Sequence, residues 1–139
     1  MTKLIKTFGY KPLDNFQIDK YCKKLFGRKY YKCLSVDSPV PKKDCYFVIN
    51  TDRMSGSGIH WCSGIKKGKN VYLYDSYGRR ANRILKIFVN KLKKNGYKVQ
   101  NADVSDSDQR GNTSASCGHR CISSLQIAND FGIKAFLML

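Results

Sequence analysis

Cys117 stands in Ser114-Ala115-Ser116-Cys117-Gly118, where a polar loop gives way to an apolar-periodic stretch that reads as a helix. A thiol at a helix N-terminus lies beside free backbone N–H groups and the positive end of the helix dipole. Both favour thiolate, the nucleophilic form. Cys117 is therefore a candidate nucleophile. His60 follows a Gly-containing loop, Asp75 closes the run Val71-Tyr72-Leu73-Tyr74, and Gln109 lies in the polar loop eight residues before Cys117. Each has a role in thiol catalysis. Cys117 would attack a carbonyl, His60 would form the thiolate–imidazolium pair and later protonate the leaving amine, and Asp75 would hold the imidazole in tautomer and orientation. Gln109 would donate its side-chain amide to the tetrahedral oxyanion, alongside the backbone N–H of Cys117.

Taken singly, these residues have ordinary readings. A histidine beside Trp61 is usually a packed core residue, an aspartate before Ser76-Tyr77-Gly78 a turn former, and a cysteine at a helix start a small buried side chain. Their order along the chain is what argues for chemistry. His119 is a rival base, but two positions after Cys117 on a helix it points to another face, which favours His60.

The elements that must position these groups are legible in part. Asp14 as N-cap, Gln17 as capping-box partner and Leu13 against Ile18 as a hydrophobic staple open a helix from Asn15 to about Phe26. Strands are expected at Cys45–Asn50, Ile59–Ile65, Val71–Asp75 and Tyr97–Val104. Lys66-Lys67-Gly68-Lys69-Asn70 forms a turn that pairs the second and third of these antiparallel. Fifteen positions separate His60 from Asp75, which suits two strands joined by a short turn, although a register slip of one would send the carboxylate to the wrong face. A helix from about Ala81 to Lys94 buries Leu85, Phe88, Val89 and Leu92, and a last helix starts at Cys117 and ends at Asn129, Asp130 and Gly132. Ile133 to Leu139 is expected as an edge strand or a short packed segment.

At 139 residues the chain suits a single domain over its whole length, with 42% apolar residues, enough for one core. No apolar run is long enough to span a bilayer, and Met1 to Lys6 lacks the core of a secretory signal, so a cytosolic origin and no membrane partner are expected. The six cysteines (22, 33, 45, 62, 117 and 121) are then expected as free thiols, those other than Cys117 as small core residues. No Cys-x-x-Cys occurs and the two histidines are not spaced as a ligand pair, so no metal site is expected. The net charge of +16, from 26 Lys plus Arg against 10 Asp plus Glu, suits a polyanionic partner. Without a sequence-reading motif, nucleic-acid binding would be backbone-directed and salt-sensitive.

Gly58-Ile59-His60-Trp61, Tyr74-Asp75-Ser76-Tyr77-Gly78, Gln109 and Ser114-Ala115-Ser116-Cys117-Gly118 together resemble, in order, the sequence blocks of the adenovirus-type cysteine proteases (adenain). Val48-Ile49-Asn50-Thr51 with Arg53 and Gly56 is similar to the strand and loop before the histidine in that family. The wider fold group includes the SUMO-specific proteases. The resemblance implies an α+β, papain-like fold in which a central mixed sheet is flanked by helices and the nucleophile begins the central helix. It implies a cysteine endopeptidase that cuts viral capsid or core precursors during virion maturation, after small-residue motifs containing Gly. The chemistry would need no cofactor, with DNA as an activating polyanion. The implied setting is a monomer in the host cytoplasm or a viral factory, packaged in the virion. Trp61, Tyr77 and Gly58 become candidates for the substrate cleft.

The sequence also departs from that family. Asp75 stands where adenain has Glu and matches the acidic residue of the SUMO proteases, and the Gln-to-Cys interval is longer than in adenain. Tyr97 to Asp108 contains no cysteine to tether an activating peptide. The chain ends about twenty residues after Cys117, where the family continues with further helices, so part of the usual cleft is expected to be replaced or missing. Two other functions compete with the endopeptidase: an isopeptidase acting on SUMO or ubiquitin adducts, and a non-catalytic basic module that binds nucleic acid.

Overall fold

The computed structural model describes residues 13–50, 60–75, 85–102 and 117–139. Helix α1 (Asn15–Phe26) opens as its sequence dictates: Asp14 Oδ1 accepts from the Gln17 N–H at 2.8 Å and Gln17 Oε1 accepts from the Asp14 N–H at 3.0 Å, a complete capping box. Ile18, Tyr21, Cys22 and Phe26 are its buried stripe. A 3-10 turn at Gly27–Lys29 leads into β1 (Tyr30–Ser35), followed by β2 (Cys45–Asn50), β3 (Trp61–Lys67) and β4 (Asn70–Tyr74). Helix α2 (Leu85–Lys94), β5 (Lys98–Asn101), α3 (Cys117–Phe131) and α4 (Ile133–Leu137) complete the order.

The five strands form one sheet in chain order. β2, β3 and β4 run as an antiparallel meander, whereas β1 joins β2 and β5 joins β4 in parallel. A parallel neighbour needs a crossover, and α2 lies in the one between β4 and β5. The sheet is covered on both faces. Trp61, Ile65, Val48 and Tyr74 pack against α1, α3 and α4, while Phe47, Ile49, Cys62, Val71 and Leu73 pack under Leu85, Phe88 and Leu92 of α2. This is the mixed, helix-flanked α+β sheet of a papain-like fold.

The elements begin and end close to their expected limits. The fourth expected strand is shorter, Lys98–Asn101 rather than Tyr97–Val104, and residues 81–84 of the expected α2 lie outside the described set. β1 was not expected. It is an edge strand with a shift of register between Tyr30 and Cys33, and its exposed Tyr31 and Lys32 erase the alternation that would reveal it. Of the two options for the tail, the packed segment is the one found: Gly132 turns the chain at a φ of 95°, and α4 buries Phe136 edge-on against Tyr74. Among the described residues no helix is long and apolar enough to cross a membrane.

Trp61, a candidate for the substrate cleft, is buried among the described residues. Its indole N–H donates to the Leu13 carbonyl at 3.2 Å and its ring is buried in the α1–α3 face.

Candidate active site

Three element ends meet at one end of the sheet. His60 immediately precedes β3, Asp75 immediately follows β4, and Cys117 is the first residue of α3. The β3–β4 pairing sets the relation between the first two. Ser63 lies opposite Tyr74, so continuing that register by one step brings Asp75 opposite Cys62, with His60 diagonal to it. The hairpin is held from its far end by Gly68, at a φ of 59°, and by Asp44, whose carboxylate accepts from the Gly68 N–H at 2.8 Å. That bond is the main reason the Asp44 carboxyl titrates below its ordinary range.

Helix α3 is fixed to the same strand. Ser63 Oγ and Ser124 Oγ lie 2.6 Å apart in a buried site, and Ser124 also donates to the Cys121 carbonyl. Gly118 brings the start of α3 close to α1, where even a Cβ would meet Leu13 at 3.2 Å and Ile18 at 3.4 Å. Cys117 is thus positioned by contacts to both β3 and α1.

His60 Nε2 is 2.7 Å from Asp75 Oδ1, and both side chains are buried. The His60 side chain also interacts with that of Cys117. Burial pulls the His60 pKa down, but the hydrogen bond to Asp75, the interaction with Cys117 and the charges of both outweigh it and raise the pKa to about 9. An imidazole that keeps its proton through neutral pH next to a thiol is the cationic half of a thiolate–imidazolium pair.

Burial pushes Cys22, Cys33, Cys62 and Cys121 well above the ordinary thiol range and Cys45 to about 11. Buried, protonated thiols of this kind are inert. His119 is buried within α3, and the ring bonded to the carboxylate is that of His60. The described residues therefore bring together His60, Asp75 and Cys117. Gln109, Tyr77 and Gly58 lie outside the described residues.

Sequence reasoning missed Cys62. One donor atom each from His60, Cys62 and Asp75 falls within 4.8 Å of the others, and all three residues are buried. The signal was present as His60-x-Cys62, since residues two apart share one side of an extended chain. These are the described residues able to hold a metal ion.

No family model matches the chain, and no curated protein matches it. Among solved structures, the chain is similar to the ASFV pS273R protease with a TM-score of 0.57 at 16% identity, covering 94% of this chain and 62% of that one. A selenomethionine form of the same protease gives a TM-score of 0.50 at 18% identity, with 93% and 62% covered. The chain thus spans 62% of the length of the protease it is similar to. At such identity the likeness is one of fold.

Proposed function

We propose that this chain is a cysteine endopeptidase in which Cys117 is the nucleophile, His60 the acid–base and Asp75 the group that holds the imidazole. The observation that carries this reading is His60 itself, bonded to a buried carboxylate through Nε2 and set against the thiol at the start of α3. The Cys117 sulfur attacks the scissile carbonyl as thiolate, and the imidazolium then gives its Nδ1 proton to the leaving amine. A water deprotonated by the neutral ring hydrolyses the thioester, and Asp75 keeps Nε2–H directed away from the reacting atoms throughout. The backbone N–H of Cys117, at the helix start, and the side chain of Gln109 would stabilise the two oxyanions.

The fold shared with a viral protease supports a viral substrate. We assign it, through the resemblance of the sequence blocks, to capsid or core precursors cut after small-residue motifs containing Gly during virion maturation. On this reading the enzyme works as a monomer in the host cytoplasm or viral factory and is packaged in the particle. The net charge of +16 supports DNA as an activating polyanion. Exposed Lys67, Lys69 and Lys98 around the β3–β4 turn and the start of β5, with Lys86, Lys93 and Lys94 on α2, would meet its phosphates. The match of Asp75 to the SUMO-protease acid favours the isopeptidase as the second reading.

An aldehyde or vinyl-sulfone peptide ending in Gly tests the chemistry. It is expected to modify Cys117 in the native protein and to leave the Cys117→Ala and His60→Ala variants unmodified. Modification that survives either substitution removes the mechanism. Parallel digestion of capsid precursors and of SUMO or ubiquitin adducts decides between the two substrate classes.

A further inference from the structure

His60, Cys62 and Asp75 form a cluster that peptide hydrolysis uses only in part. The Asp75 carboxylate lies 2.7 Å from His60 Nε2, and one donor atom each of His60, Cys62 and Asp75 falls within 4.8 Å of the others. One oxygen, one nitrogen and one sulfur donor are thereby held together in a buried site. A divalent cation can replace two protons in such an arrangement.

We propose that His60 Nε2, Cys62 Sγ and an Asp75 oxygen form a binding site for a borderline-soft divalent cation of the Zn2+ class, whose occupancy switches the peptidase off. The switching clause rests on the peptidase reading; the binding does not. Thiolate, imidazole and carboxylate are the three ligand types zinc takes, at about 2.3, 2.0–2.1 and 2.0–2.2 Å. Hard Mg2+ and Ca2+ prefer all-oxygen shells and suit the cluster poorly. Donors bound at those lengths around a tetrahedral ion lie roughly 3.3–3.7 Å apart. The present spacing, within 4.8 Å, needs only side-chain adjustment to reach that.

Charge also balances. Imidazolium, thiol and carboxylate sum to zero, and so do Zn2+, neutral imidazole, thiolate and carboxylate. One proton leaves Cys62 Sγ and one leaves His60 Nε2, both to solvent, and nothing is oxidised or reduced. The buried cluster therefore gains no net charge, the main penalty for putting an ion in a protein interior. The ion itself deprotonates a coordinating thiol. A water fills the fourth tetrahedral position. His60 keeps its Nδ1 proton, and with Nε2 coordinated the ring can no longer accept the proton of the Cys117 thiol.

The test uses the full chain carrying Cys117→Ala, so that the nucleophile supplies no ligand. Zn2+ titrated by calorimetry is expected to bind with one-to-one stoichiometry and to release protons, read from buffers of different ionisation enthalpy. Co2+ is expected to give a thiolate-to-metal charge-transfer band that Cys62→Ser abolishes. Zn2+ affinity should fall about 100-fold with Cys62→Ser and at least about 10-fold with Asp75→Asn. Circular dichroism checks that each variant folds, and Cys62→Ala replaces Cys62→Ser if the buried hydroxyl prevents folding. A band that survives loss of Cys62, or no binding by the folded Cys117→Ala protein, overturns the site. With wild type, Zn2+ should inhibit peptide cleavage and a chelator should restore it. Binding through Cys62 without inhibition overturns the switch alone, whereas binding with no peptidase activity at any metal level counts against the peptidase reading and leaves the site standing.

Discussion

Ser63 on β3 and Ser124 on α3 share a 2.6 Å hydrogen bond between hydroxyls in a buried site. Ser63 lies three residues after His60 and Ser124 lies two helical turns after Cys117, so this bond sets the strand carrying the imidazole against the helix carrying the thiol. Ser124→Ala leaves the Ser63 hydroxyl buried without that partner, which costs on the order of 1–3 kcal/mol. The double variant Ser63→Ala/Ser124→Ala should recover part of the loss, because both polar groups are then gone. Thermal melts of the two single variants and the double variant measure this. Strictly additive losses would show that the two hydroxyls do not act as a pair.

Gly64 offers a sharper test of the same strand. It pairs with Phe47 across β2 and β3, and a Cβ at this position would run into the Phe47 ring, itself fully buried and 6.0 Å from Phe88. Gly64→Ala is therefore expected to destabilise the protein by about 1–3 kcal/mol through overpacking. Adding Phe47→Leu should relieve part of that. Urea unfolding of the single and double variants is the measurement, and a Gly64→Ala protein as stable as wild type would contradict the packing described.

Much of this was legible in the chain because it depends on local chemistry. The capping box at Asp14 and Gln17 needs only two side chains and their own backbone, and it forms as expected. The Gly68 turn fixes the β3–β4 hairpin, and the hairpin fixes His60 near Asp75. Edge strand β1 was not legible, since its pairing with β2 is set by tertiary contacts and its exposed tyrosine and lysine disguise it. The burial of Trp61 was not legible, because its bond to the Leu13 carbonyl reaches 48 positions along the chain. Cys62 was not legible as a ligand because its partners stand outside zinc-finger spacing, one two residues away along a strand and the other on the neighbouring strand.

Thiol reactivity separates Cys117 from the rest. Burial keeps Cys22, Cys33, Cys62 and Cys121 protonated, and Cys45 titrates only near pH 11. Brief alkylation of the native protein at pH 7 should modify Cys117, set beside His60 at the start of α3, before the other five thiols, and denaturant should expose all six. Mass spectrometry of the digested protein reads this out. Comparable early modification of Cys121 or Cys62 would mean that the start of α3 opens in solution.

The last prediction concerns pH. His60 has a pKa of about 9 in the folded protein against an ordinary value of 6.5, so the native state binds this proton more tightly than the unfolded chain. Its contribution to stability is complete below pH 6.5 and is lost as pH rises through 9; the shift corresponds to on the order of 3 kcal/mol. The same deprotonation removes the acid that protonates the leaving amine, which places the alkaline limb of kcat/KM near pH 9. Asp75→Asn deletes the hydrogen-bonded charge that holds the pKa up against burial. The alkaline limb should then move to lower pH, and the fall in stability between pH 6.5 and 9 should shrink. Histidine NMR titration of the Cys117→Ala and Asp75→Asn proteins separates the two partners: Asp75→Asn should lower the His60 pKa more than Cys117→Ala. An unchanged His60 titration in Asp75→Asn would break the link between the carboxylate and the imidazole on which the proposed chemistry depends.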